Sequence, residues 1–88
     1  MRHELKIDPD VFNDVVAGVK SFEIRKDDRG FNVGDILHLM KTKHTGAEMA
    51  SGAPLEYSGY VYDVGVKHIL KGPAYGLKDG WVIMSITI

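Results

Sequence analysis

The chain has 88 residues and no cysteine. That excludes disulfides, thiolate zinc sites and a cysteine nucleophile, and it suits a reducing cytoplasm, where we expect the protein to reside. An excess of charge of one sign is also missing: 11 Lys and Arg stand against 12 Asp and Glu, a net charge of −1. The broad basic footprint of a duplex-binding domain is therefore absent, and any contact with nucleic acid has to be local. Charged residues or glycines interrupt every apolar run, so neither a signal-peptide core nor a membrane-spanning segment is expected. No Walker-type or dinucleotide-binding pattern occurs. The four histidines, His3, His38, His44 and His68, lack metal-ligand spacing. The run from Lys26 to Arg29 lacks the ligand count of a calcium loop and reads as a solvated turn. No metal and no cofactor are expected.

What is present is one domain's worth of sequence, with 44% hydrophobic residues to build a single core. It is organised around Gly18-Val19-Lys20-Ser21-Phe22-Glu23-Ile24-Arg25. Gly18 suits the position just past a helix end, and the residues after it alternate as a half-buried strand should. Ser21, Glu23 and Arg25 share one face, while Phe22 and Ile24 take the other and are expected to enter the core. Lys20 has the parity of Phe22, so it joins the polar face only if the turn after Gly18 resets its direction.

Ahead of this stretch, His3 to Ile7 alternates and reads as a first strand. Asp8 is placed as an N-cap, Pro9 at the first helical position, and the stripe Val11, Phe12, Val15 and Val16 predicts a helix over 10–17. Beyond it, Ile36 to Met40 reads as a strand, with Asp35 before it in turn chemistry, accepting from nearby backbone N–H groups. Lys41 to Leu55 shows no sustained periodicity and is expected to be a long mobile loop. Tyr57 to Leu70 reads as a long curved strand with a bulge near Gly59 or Gly65. Tyr60, Tyr62, Val64, Val66 and His68 share its parity, so His68, like His3, could approach a cleft. A glycine-rich connection then leads to a terminal strand from Trp81. About five strands and one helix, with no βαβ alternation long enough for a parallel sheet, predict a mainly β fold. The expected architecture is a small barrel of five or six mostly antiparallel strands with one short helix.

Gly18, Lys20, Glu23 and Arg25 fit the G-x-K-x-x-E-x-R signature, and the chain resembles the ASCH superfamily (activating-signal-cointegrator homology domains), whose fold is a PUA-like β-barrel. The start Leu5-Lys6-Ile7, the run Phe22 to Arg29, Phe31-x-Val33-Gly34-Asp35-Ile36-Leu37 and the ending Val82 to Ile86 look like a small bacterial and phage family of that superfamily that has no assigned function. The resemblance implies RNA binding in a cleft beside the barrel. One branch deacylates N4-acetylcytidine with a Lys, a Thr three residues later and a separate Glu; here Lys20 stands at that Lys, and Glu23 occupies the Thr position.

Lys20, Glu23 and Arg25 are thus the candidate site. In a cleft, Arg25 can fork onto a phosphate or base edge and Lys20 can act as a point charge, while Glu23 accepts from an exocyclic amine or orients Lys20. The same three residues also suit an ion-pair network that closes one end of the barrel. Among the aromatics, Tyr75 in the glycine-rich connection is expected at the cleft rim, and the rest are expected to fill or cover the sheet. Lys41, Lys43 and His44, and separately Lys67 and Lys71, form small basic groups. Three functions follow: a module that binds RNA or a nucleoside-like ligand; a small hydrolase on a modified nucleoside, with Lys20 and Glu23 catalytic; or a phage or bacterial adaptor of a host protein.

Overall fold

The computed structural model describes residues 1–87. The elements in chain order are β1 (Arg2–Ile7), α1 (Pro9–Val16), β2 (Phe22–Lys26), β3 (Ile36–Thr42), α2 (Gly46–Ala50), β4 (Tyr57–Lys71) and β5 (Trp81–Thr87). The five strands form one sheet in the order β1-β3-β4-β5-β2, which curls into a half-barrel. The fold is mainly β, as the strand count predicts. Three of the four strand pairings are antiparallel; the fourth, β1 with β3, is parallel and runs from Arg2↔Ile36 to Ile7↔Lys41. The sheet is thus mostly antiparallel, as expected, with this one parallel pair. The crossover that permits it contains α1 and β2 together, long enough although it is no simple βαβ unit.

The core lies on the concave side. Leu5 and Ile7 of β1, Leu37 and Leu39 of β3, Val64 and Val66 of β4, and Val82, Met84 and Ile86 of β5 meet there with Phe12 and Val15 of α1. Each such side chain contributes roughly 1.5–3 kcal/mol by leaving water. The alternation that predicts β1 appears directly, with His3, Leu5 and Ile7 buried and Arg2, Glu4 and Lys6 exposed.

Helix α1 begins one residue earlier and ends one earlier than its apolar stripe predicts. Phe12 and Val15 are buried while Val16 is exposed. Asp8 stands at the N-cap but its side chain makes no cap bond; its Oδ1 instead accepts from the Gly46 N–H at 2.9 Å, tying α1's entry to α2. The second helix lies inside the segment expected to be a loop. Five residues are too few to show a period, and none of them is buried. What makes it a helix is a capping box, with Thr45 accepting from the Glu48 N–H and Glu48 from the Thr45 N–H. The Thr45-x-x-Glu48 spacing was the available signal.

Long strand β4 serves two partners: it pairs with β3 up to Gly65 and with β5 from Gly65 onward. The register with β5 slips between Val66 and His68. That bulge breaks the parity that would carry His68 inward, and His68 is exposed.

Candidate functional site

Strand β2 is built with its faces reversed from the sequence reading. Phe22 and Ile24 are 45% and 47% exposed, and Glu23 is 3% exposed. Alternation says which residues share a face; it does not say which face is covered. A carboxylate can occupy the covered face only if its charge is matched. Here both oxygens are engaged: Lys20 Nζ donates to Oε1 at 2.7 Å and Arg25 Nε to Oε2 at 2.9 Å. Lys20 gets there because Gly18, at φ 76°, turns the chain after α1. The N–H groups of Val19 and Lys20 both close onto the Asp14 carbonyl. The turn therefore resets Lys20 onto the side of Glu23 and Arg25. Its ammonium also lies 4.9 Å from the centre of the Phe22 ring, a cation–π contact.

These three side chains sit in a cleft of about 500 Å³ between β1 and β2, the two edge strands of the sheet. Its cations are Lys6, Lys20, Arg25, Lys26 and Arg29; its carboxylates are Asp8, Glu23 and Asp28. The cleft is thus locally positive in a chain of net charge −1. Trp81, Ile24, Ile7 and Val11 supply its apolar surface. Two guanidiniums span it: Arg25 Nη2 donates to the Lys6 carbonyl and Arg29 Nη1 to the Glu4 carbonyl, each at 2.7 Å. The turn that aims Arg29 is held by Asp27 Oδ1, which accepts from the N–H groups of Gly30 and Phe31. The solvated-turn reading of Lys26 to Arg29 thus describes its backbone but misses the reach of Arg29 across the cleft. Sequence reading assigned Trp81 to filling or covering the sheet and left Lys6 out of the site; Lys6 has the parity of a solvated face, and only the curl of the sheet brings it opposite β2.

Tyr75 is 98% exposed, in a turn closed by the Ala74–Leu77 bridge and with a left-handed φ of 49°. It is not among the residues that line the cleft. The aromatic in the cleft is Trp81. His3 also stays outside the cleft: it is buried, its Nε2 is 2.8 Å from Asp35 Oδ2, and its ring packs edge-on against Phe31. Asp35 accepts from the Asn32 N–H as its turn position predicts. The His3 contact, then the Asn32 N–H and the Met1 amino group, lower its carboxyl from 3.8 to about 2. Lys41 leaves its basic group for α1, donating to Asn13 Oδ1 and lying over the Phe12 and Tyr60 rings. Among the described residues, no three His, Asp or Glu side chains converge as metal ligands, and no helix is long and apolar enough to cross a membrane.

Fold and site together define a small β-rich half-barrel domain with an ion-paired, locally cationic cleft between its edge strands. The chain belongs to the family described as Domain of unknown function (DUF3850), which matches residues 2–86. No curated protein matches the chain.

Proposed function

We propose that this domain is a cytoplasmic ASCH-like, PUA-like module that binds RNA or a nucleotide-like ligand in the cleft between β1 and β2. The observation that carries the reading is the buried Glu23 holding Lys20 and Arg25 at the wall of that cleft. A buried acid with two cations fixes their positions, and fixed donors recognise a phosphate with less ordering cost than mobile ones. Lys26 and Arg29 extend the positive surface, and Trp81 offers a ring on which a base can stack. Both Glu23 oxygens already serve cations, which favours binding over acid–base chemistry. Turnover of a modified nucleoside is therefore an outcome the same assay can return, not the reading adopted.

The experiment is titration of single-stranded RNA and nucleoside monophosphates at low and raised salt. Binding should weaken with salt as counterions are released. Lys26→Ala, which removes a cation without touching Glu23, should weaken it and lower the salt slope by about one. Lys20→Ala and Arg25→Ala should weaken it more, read only after each variant is shown to melt cooperatively. Folded variants that bind as the wild type does would remove the cleft from consideration.

A further inference from the structure

The two strand edges that border the cleft differ in what they offer a ligand. In the β2–β5 pairing, the Ile86 N–H donates to the Ser21 carbonyl at 3.0 Å and the Asp27 N–H to the Gly80 carbonyl at 2.8 Å. With Glu23 opposite Met84 and Arg25 opposite Val82, the odd-numbered residues of β2 are those bonded to β5. The peptide groups of the even-numbered residues therefore point away from β5, toward the open edge. Ile24 is the central one, and it lines the cleft. On the opposite wall, the outward carbonyls of Glu4 and Lys6 in β1 are already taken by Arg29 and Arg25. The Ile24 N–H and C=O have no such partner among the described residues. The cleft thus presents one open donor–acceptor pair on a rigid strand, between cations that suit phosphate.

We propose that the main chain of Ile24 reads the Watson–Crick edge of an unpaired nucleobase. Every nucleobase carries a hydrogen-bond donor next to an acceptor on that edge, and it is accessible only where the base is unpaired. The Ile24 N–H donates to the base acceptor, and the Ile24 carbonyl accepts from the adjacent ring N–H or amino group. Trp81 pairs in register with Lys26, and both line the cleft with Ile24, so the main-chain reader shares its cleft with an aromatic side chain and a phosphate-binding ammonium. This deepens the RNA- or nucleotide-binding reading and rests on it. It adds that recognition is of the base, through backbone, and that duplex RNA is not the ligand.

The test is calorimetric titration of the intact chain with uridine 5′-monophosphate, 3-methyluridine 5′-monophosphate and ribose 5-phosphate. Methylation blocks the ring N–H that the Ile24 carbonyl would accept, so the methylated nucleotide should bind about tenfold more weakly. Ribose 5-phosphate should bind more weakly still. Ile24→Pro deletes the N–H at a position outside the β2–β5 ladder, where an edge strand tolerates proline. It should weaken uridine monophosphate about three- to tenfold, and by a larger factor than it weakens ribose 5-phosphate. Equal affinity for the methylated and unmethylated nucleotides overturns this inference and leaves the binding reading standing. No salt-sensitive binding of any of the three, nor of single-stranded RNA, overturns both. If Ile24→Pro does not fold, the methylated nucleotide decides the matter alone, because it leaves the protein unaltered.

Discussion

Arg25 joins the two open edges of the sheet: its Nη2 donates to the Lys6 carbonyl at 2.7 Å while its Nε holds Glu23 at 2.9 Å. One side chain therefore neutralises a buried acid and closes the curl of the sheet. Arg25→Met keeps much of the apolar stem and removes both contacts. It should destabilise the domain by about 1.5–3 kcal/mol, the size of a hydrogen bond to a charged group. A chevron-free measure suffices: the urea midpoint should fall with an unchanged slope. An unshifted midpoint would mean that Lys20 alone satisfies Glu23.

Asp35 makes stability depend on acid pH. Its carboxyl is lowered from 3.8 to about 2, first by His3 and then by the Asn32 N–H. A folded value below the unfolded one means that the contribution is fully present above about pH 4 and is lost as pH falls toward 2. Melting temperature should thus decline across that interval, and Asp35→Asn should flatten the decline. An identical pH profile in the variant would contradict the coupling.

Two glycines should respond to alanine with opposite signs. A Cβ on Gly72 would lie 2.0 Å from the Lys78 carbonyl oxygen, whereas one on Gly46 meets only Asp8 Oδ1 at 3.8 Å. Gly72→Ala should lose about 1–3 kcal/mol through backbone displacement. Gly46→Ala, at the first residue of α2, should gain about 0.4–1 kcal/mol by restricting the unfolded chain. Thermal melts of the pair decide it, and a destabilised Gly46→Ala would show that the Gly46 N–H bond to Asp8 cannot tolerate the shift.

Helix α2 buries nothing, so its capping box carries it. Glu48 is held below its usual 4.5 by the Thr45 N–H, with the Thr45 hydroxyl adding to the effect. Thr45→Ala should cost about 0.5–2 kcal/mol locally. Amide exchange of Glu48 to Gly52 should quicken while the amides of β3 and β5 stay as they were. Uniform quickening would instead make α2 part of the cooperative core.

The residues themselves determine the strands and the first helix. Alternation in His3 to Ile7, turn chemistry around Asp35 and the Asp8-Pro9 start are local properties, and local conformation expresses them. The grouping of Ser21, Glu23 and Arg25 on one face is equally local, since a strand has a period of two. Tertiary structure decided that Glu23 on this face is covered, because its charge is matched only when Lys20 arrives from the turn and Arg25 Nε closes on its second oxygen. It also decided the parallel pairing of β1 with β3 and the placing of Lys6, Trp81 and Arg29 in one cleft. Those residues lie far apart in the chain, and no periodicity within a segment records which edge of a curled sheet another segment will face. Tyr75 marks the same limit from the other side: its glycine-rich surroundings make it exposed, and only the path of the turn keeps it from the cleft.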